Sequence, residues 1–222
     1  MSDQKIMFVF PGQGSQYAGM SSDLCAEFPV ARRIYEQANQ VLGYDIQALS
    51  ANGPEEELGL TRHTQPALLT HSIACLEVFR DITDAKDQPV MAGGHSLGEY
   101  SALCAAGVFT LADTARLLRI RGRAMQSAVP VGQGAMAALL GVGLDVARTV
   151  AAEAAQGEVC DVANDNEPTQ VVLSGHKTAI DRVAAVGKAH GLRRAIPLPV
   201  SAPFHCRLLQ PAAEAMAAAL AR

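Results

Sequence analysis

The chain has 222 residues, a length that fits one core with a further subdomain. Of these residues 49% are hydrophobic, which is typical of a globular protein. Its 18 basic and 22 acidic side chains give a formal charge of -4, so the composition lacks the basic character of a nucleic-acid-binding domain. The five cysteines are scattered without CxxC pairing, which predicts neither a disulfide framework nor a zinc site and indicates a cytoplasmic protein. The N-terminal apolar run is too short for a signal peptide, and no stretch is long enough for a membrane span.

The first part of the chain alternates short apolar runs with segments of helical periodicity. Ile6 to Phe10 and Pro89 to Gly93 are predicted strands, and each runs into a glycine-containing turn. Helices are predicted over residues 15–27, 30–42, 65–82, 97–106 and 111–128. Strands that alternate with helices predict a parallel sheet covered on both faces, so we expect an α/β-hydrolase-like large subdomain.

The pattern changes after Pro130. Strands are predicted over residues 134–141, 158–163, 170–175 and 194–200, helices over 144–155, 180–190 and 208–222, and a polar turn over 164–168. The order βαββαβ before residue 201 predicts a small ferredoxin-like α+β subdomain. We therefore expect residues 131–200 to form the small subdomain, and residues 1–130 and 201–222 to form the large one.

The segment Gly94 to Gly98 (GHSLG) fits the pattern G-x-S-x-G between a predicted strand and a predicted helix. In a nucleophile elbow of this kind the serine occupies a strained turn with an exposed hydroxyl. The glycines allow the turn to close, and the N–H groups of the following helix face a developing oxyanion. Ser96 is therefore the candidate nucleophile. The alternative is that Ser96 only caps the helix.

A serine nucleophile needs a base, and the candidates are the histidines. They are His63, His71, His95, His176, His190 and His205. His95 adjoins the serine, and the side chains of adjacent residues usually point apart. His205 lies in a proline-containing loop after a predicted strand, where catalytic residues tend to occur, so it is the favoured candidate.

Several segments together resemble malonyl-CoA:acyl carrier protein transacylases, the malonyl-loading enzymes of bacterial fatty acid synthesis, which are related to polyketide synthase acyltransferase domains. These segments are Phe8 to Gln16 (FVFPGQGSQ), Gly94 to Tyr100 (GHSLGEY), Arg121-Gly122, Gly134 to Ala138 (GAMAA) and Ser201 to Cys206 (SAPFHC). They occur in the order found in that family. Family members continue well past the last of them, so the resemblance also implies that the large subdomain lacks its C-terminal part here.

The resemblance implies a role for each matching residue. Ser96 would carry the malonyl ester, and His205 would act as general base and then as acid for the departing thiol. The backbone N–H groups of Gln13 and Leu97 would form the oxyanion hole. Arg121 would bind the free malonyl carboxylate, since a planar guanidinium can hold a carboxylate through two parallel hydrogen bonds.

Two of these residues also have simpler interpretations. Without the resemblance, Arg121 would be assigned to a solvated helix face that carries three more arginines, and Gln13 to a tight turn after the first strand. Phe204, which precedes the histidine, accompanies the choice of malonyl over methylmalonyl in the related polyketide domains, because its ring would crowd a branched acyl group.

The implied reaction uses malonyl-CoA as substrate and acyl carrier protein as partner. It needs no metal and no cofactor, and Gly12-Gln13-Gly14 lacks the third glycine of a dinucleotide fingerprint. We expect a cytoplasmic monomer that binds neither nucleic acid nor membrane. Candidates for a basic docking face are Arg119, Arg123, Lys188, Arg193 and Arg194. A serine thioesterase or esterase, and a non-catalytic fragment that binds carrier protein, remain as alternatives.

Overall fold

The computed structural model describes residues 5–83 and 89–221, and the chain divides into two units, Met1–Gly122 and Arg123–Arg222. Residues 201–221 group with the second unit, and their assignment to a large subdomain stays a prediction. Arg222, the end of the last predicted helix, lies outside the described residues. Both units mix helices with strands, so the prediction of a mixed α/β chain is confirmed.

The first unit contains a parallel pair of strands, β1 (Met7–Phe10) and β2 (Met91–Gly94), in which Phe8 lies opposite Ala92. Its helices are α1 (Ser22–Glu27), α2 (Pro29–Leu42), α3 (Ile46–Asn52), α4 (Glu55–Leu58), α5 (Thr61–Ile82), α6 (Leu97–Ala105) and α7 (Leu111–Ala128), the last of which ends in the second unit. Tyr35, Leu69 and Leu97 are buried with Phe10 in one hydrophobic core. This core fixes the ends of β1 and β2, where the candidate site lies.

The helix boundaries in this unit differ from prediction in three places. Helix α1 begins seven residues after its predicted start at residue 15. Helices α3 and α4 were not predicted, although the Asp45 carboxylate caps α3 by accepting a hydrogen bond from the Ala48 N–H at 2.9 Å. Helix α5 begins at Thr61, one turn before the predicted start. Pro66 lies inside this longer helix: its fixed φ is helical, but its ring removes one backbone donor. The extra turn places Thr61 and Gln65 inside the unit.

The second unit is built on an antiparallel sheet with the strand order β4-β5-β3-β6. Its elements are β3 (Gly134–Leu140), α8 (Leu144–Ala155), β4 (Cys160–Glu167), β5 (Gln170–His176), α9 (Lys177–Lys188), β6 (Arg194–Pro197), a 3-10 helix (Arg207–Leu209) and α10 (Gln210–Leu220). The predicted polar turn at 164–168 is shorter, because β4 continues to Glu167 as an edge strand paired with β5. Its exposed polar residues suit an edge, where they oppose further strand pairing.

Both faces of this sheet are covered, because successive residues of a strand point to opposite sides. Ala137 and Leu139 of β3 pack in a cluster with α8 and α9. Met136 and Ala138 face the other way, into a cluster that contains Phe204. The loop that carries His205 is therefore held against the second face of the sheet. Among the described residues, none of the helices combines the length and apolar content needed to cross a bilayer.

Candidate active site

Ser96 lies on a sharp turn between β2 and α6. Its backbone has φ 55° and ψ -109°, a conformation that costs energy for a residue with a side chain and that clusters at functional sites. Its side chain makes no capping hydrogen bond, so the alternative that Ser96 only caps the helix is wrong. The prediction of a strand before the serine and a helix after it is confirmed on both sides.

The two glycines of the motif are required by close backbone approach. A Cβ at Gly94 would overlap the carbonyl of Gly98, and a Cβ at Gly98 would overlap the carbonyl oxygen of Phe10. The turn can therefore close only when both positions lack a side chain. This contact also brings the end of β1 against the start of α6.

We predict that Gly98→Ala lowers the free energy of unfolding by about 3 kcal/mol, because the new methyl group must push aside the carbonyls of Phe10 and Pro11. Urea denaturation followed by circular dichroism measures this. Gly43→Ala is the matched control: φ is 74° there, but no atom lies within 4 Å of the added Cβ. It should cost only about 1 kcal/mol, the strain of a left-handed alanine. Equal losses in the two variants would contradict the close-approach explanation.

The backbone donors predicted for an oxyanion hole lie on either side of this turn. Leu97 is the first residue of α6, and Gln13 belongs to the loop after β1. The N–H groups of both residues donate to no acceptor among the described residues. The loop is held close to the turn, since the His95 N–H donates to the Phe10 carbonyl at 3.2 Å. Gly12 also leaves no room for a Cβ, which would lie 2.8 Å from His95 Nδ1.

Arg121, on α7, lies beside the candidate nucleophile. Its Nη2 donates to Ser96 Oγ at 3.1 Å, its Nη1 donates to Gln65 Oε1 at 2.7 Å, and its Cζ lies 5.7 Å from the centre of the Tyr100 ring. Burial lowers the pKa of Arg121 below its ordinary value, partly offset by Tyr100 and Glu99. No carboxylate among the described residues lies within 4.0 Å of this guanidinium. Arg121 is thus a half-buried cation whose hydrogen-bond partners among the described residues are neutral side chains, and it is not part of a solvated face.

Two buried polar residues complete this group and were not singled out from the sequence. Gln65 is 1% exposed, and its Nε2 donates to Thr61 Oγ1 at 2.9 Å. Thr61 is fully buried, and its Oγ1 donates to Gln13 Oε1 at 2.9 Å. The signal in the sequence was a run of polar residues at the start of an otherwise apolar helix. Its meaning depended on which residues face it from elsewhere in the chain.

His205 belongs to the second unit, in the loop between β6 and the 3-10 helix. Its φ is 58°, so both candidate catalytic residues are among the few non-glycine residues with positive φ in the described part of the chain. Several of the other histidines have structural partners. The His71 Nδ1 lies 3.2 Å from the Tyr35 hydroxyl, His176 Nδ1 accepts from the Val159 N–H, and His190 pairs with Glu153.

The backbone next to His205 is fixed by an ion pair within the second unit. Asp161 of β4 accepts from the backbone N–H of Arg207 at 2.9 Å and from its guanidinium at 2.8–3.1 Å. Partial burial alone would raise the pKa of Asp161, but the hydrogen bonds and charge of Arg207 outweigh it and hold this pKa below its ordinary value. Asp161 therefore anchors the loop two residues after the histidine.

We predict that Asp161→Asn and Arg207→Ala each slow the reaction expected at Ser96 roughly tenfold, because they displace the candidate base His205 and small displacements of a catalytic group cost rate. The double variant should be no slower than either single variant, since the two residues act as one pair. Steady-state kinetics of the three variants measures this. Additive losses would contradict the anchoring role.

The same pair makes the stability depend on pH in a definite direction. The pKa of Asp161 is lowered in the folded state. The contribution of Asp161 to the free energy of unfolding is therefore present above its unfolded pKa of about 3.9, and it is lost as the pH falls through its folded pKa. The melting temperature of Asp161→Asn should therefore lie below that of the unaltered chain at pH 7 and converge with it in acid.

Within the described part of the chain, a strained serine lies between a strand and a helix, beside backbone N–H groups without an acceptor and a cation without a carboxylate in contact. This arrangement is typical of enzymes that pass an acyl group through a serine ester. Residues 7–222 match the acyl transferase domain family. The chain belongs to that family.

Similar proteins carry a more specific name. The malonyl CoA-acyl carrier protein transacylase of Escherichia coli K12 is 51% identical over 217 residues, which cover 97% of this chain and 69% of that protein. The Vibrio cholerae acyl carrier protein S-malonyltransferase has a solved structure that is 46% identical, with a TM-score of 0.92 over 98% of this chain and 71% of that one. A further solved structure shows a type II PKS acyl-carrier protein in complex with its malonyl-transacylase. The match has 45% identity and a TM-score of 0.93, and it covers 98% of this chain and 70% of that one.

Proposed function

We propose that this chain transfers the malonyl group from malonyl-CoA to the phosphopantetheine thiol of acyl carrier protein, and so supplies fatty acid synthesis. The observation that carries the proposal is the contact between Arg121 and Ser96 Oγ at 3.1 Å. It puts next to a strained serine a cation that no carboxylate contacts in residues 5–83 and 89–221. The relatives named as malonyl transacylases support the same substrate.

The first half of the reaction forms the malonyl ester of Ser96. Its Oγ attacks the thioester carbonyl, and His205 accepts the hydroxyl proton. The N–H groups of Gln13 and Leu97 stabilise the oxyanion, because they are fixed before the charge develops. The carbon–sulfur bond then breaks, and His205 returns the proton to the departing thiol of coenzyme A.

Arg121 selects the acyl group. Malonyl differs from acetyl by one carboxylate, and a partly desolvated guanidinium whose hydrogen-bond partners are neutral side chains gains a charge-assisted pair when that carboxylate binds. Acetyl leaves the cation unpaired, so the site discriminates against it. Phe204, which would limit branched acyl groups, is 7% exposed and packs in the hydrophobic cluster of the second unit.

The second half of the reaction reverses the first with a different thiol. The phosphopantetheine thiol gives its proton to His205, and its sulfur attacks the malonyl ester. The ester carbon–oxygen bond breaks, and Ser96 recovers its proton. Carrier protein as the acceptor is supported by the solved malonyl-transacylase that contains one.

The finer description of the fold is also a proposal. An α/β-hydrolase-like core is supported by the strand–serine–helix turn beside a parallel strand pair. A ferredoxin-like subdomain is supported by the βαββαβ order and by the sheet order β4-β5-β3-β6. We also propose a cytoplasmic location, supported by cysteines that are all free.

The docking face for the acidic carrier protein should be basic, and the second unit offers exposed candidates. Arg123, Lys188, Arg193 and Arg194 are exposed, whereas Arg119 donates to the Leu42 carbonyl at 2.6 Å and is partly buried. We predict that Arg193→Glu with Arg194→Glu weakens carrier-protein binding about tenfold at low salt, with a smaller effect at high salt.

Arg148→Glu is the matched control, because Arg148 is an exposed arginine of α8 outside this group. Isothermal titration calorimetry with carrier protein at two salt concentrations measures the difference. Equal losses in the control and in the double variant would contradict a local docking face.

Intact-protein mass spectrometry after mixing the chain with malonyl-CoA tests the proposed reaction. A malonyl adduct should appear and should disappear when carrier protein is added. A serine esterase would instead release free malonate as fast as it loads carrier protein, which would overturn the transferase assignment. A non-catalytic binding fragment would form no adduct.

A further inference from the structure

A continuous chain of hydrogen bonds joins the candidate carboxylate anchor to the loop after β1. It runs from Arg121 Nη1 to Gln65 Oε1 at 2.7 Å, from Gln65 Nε2 to Thr61 Oγ1 at 2.9 Å, and from Thr61 Oγ1 to Gln13 Oε1 at 2.9 Å. All of these residues belong to the first unit. Through Arg121 the chain of hydrogen bonds also reaches Ser96 Oγ.

The direction of these hydrogen bonds is determined by Arg121, where the series begins. A guanidinium has only donors, so the Gln65 amide must present its oxygen to Arg121. Its NH₂ group then faces Thr61, and the Thr61 hydroxyl must direct its own hydrogen to Gln13 Oε1. No group in the series can reverse without losing a hydrogen bond. The single hydroxyl of Thr61 is the only link between the Gln65 amide and the Gln13 amide in this series.

Burial makes each link costly to break. Gln65 is 1% exposed and Thr61 is fully buried, so a partner lost there cannot be replaced by bulk water. Gln13 is flanked by Gly12 and Gly14, and glycines give a backbone little stiffness of its own. The Thr61 hydroxyl therefore anchors the loop that carries the Gln13 N–H.

We propose that Thr61 is a positioning residue that couples recognition of the acyl carboxylate by Arg121 to the placement of the oxyanion donor at Gln13. The inference rests on the proposed function, because it assumes malonyl at Arg121. Loss of the hydroxyl removes the hydrogen bond from Gln65 Nε2 to Thr61 and so weakens the hold of the Gln65 amide on Arg121, which slows acylation by malonyl alone. It also releases the Gln13 loop, which harms every acyl group.

Single-turnover acylation of Ser96, followed by quench flow and intact mass spectrometry with malonyl-CoA and with acetyl-CoA, tests this coupling. Thr61→Val should slow malonyl acylation at saturating substrate and lower the malonyl-to-acetyl rate ratio about tenfold, the effect of leaving buried polar groups unpaired. Thr61→Ser should restore both values. Thr70→Val is the matched control: it removes another buried threonine hydroxyl of α5, which donates to the Pro66 carbonyl at 2.7 Å, and should leave the ratio unchanged.

Gln13→Leu is a second variant for the case that Thr61→Val does not fold. Gln13 is only half-buried, so this substitution should disturb folding less. It breaks only the last link, so it should slow malonyl and acetyl acylation by similar factors. Three results would overturn the coupling alone. They are equal rate losses for both substrates in Thr61→Val, a rate ratio that Thr61→Ser does not restore, and unchanged acylation rates in Gln13→Leu. An unaltered chain that forms no malonyl adduct would overturn the proposed function together with it.

Discussion

Ser96→Ala should lower malonyl transfer to carrier protein by on the order of 10⁴-fold or more, because the covalent route is lost with the hydroxyl. The malonyl adduct should disappear from the mass spectrum. The backbone at Ser96 has φ 55°, and alanine should tolerate this conformation about as well as serine, since both carry a Cβ. The chain should therefore still fold, and malonyl-CoA should still bind.

Ser101→Ala is the matched control for this variant. Ser101 lies on α6, the helix that follows Ser96, and is fully buried, and its Oγ has no hydrogen-bond partner among the described residues. Removing that hydroxyl should leave adduct formation unchanged. An adduct that survives Ser96→Ala would place the nucleophile elsewhere and would leave the strained turn at Ser96 without a catalytic role.

Arg121→Ala should lower the rate of Ser96 acylation by malonyl-CoA on the order of 10²–10³-fold, because a charge-assisted pair in a partly desolvated site is lost. Acetyl-CoA makes no such pair, so its acylation should change little and the preference for malonyl should be lost. Competition between the two substrates, read by the masses of the two acyl-enzymes, measures the preference directly.

Arg121→Lys separates charge from geometry. It keeps a cation but not the planar pair of donors, so its malonyl rate should fall between that of the unaltered chain and that of Arg121→Ala. Arg116→Ala is the control, because Arg116 is exposed on the same helix and pairs with Asp113 at 2.9 Å. An unchanged malonyl preference in Arg121→Ala would contradict the carboxylate role.

The sequence alone determined the features that depend on local chemistry. The G-x-S-x-G spacing predicted the turn at Ser96, because two glycines are needed where backbones approach closely. Apolar periodicity predicted α7 and α8 with the bounds that the structure has. The βαββαβ order after residue 130 also followed from local patterns, since each strand and helix there has its own periodicity.

Only the tertiary structure decided how distant polar residues are combined. Gln13, Thr61 and Arg121 are separated by dozens of positions in the chain, and their hydrogen bonds exist because β1, α5 and α7 converge in one unit. Asp161 and Arg207 are likewise paired by the packing of a loop on an edge strand. Periodicity reports which face of an element is buried, but it carries no information about which polar groups meet inside, and that pairing sets the charge and direction of the site.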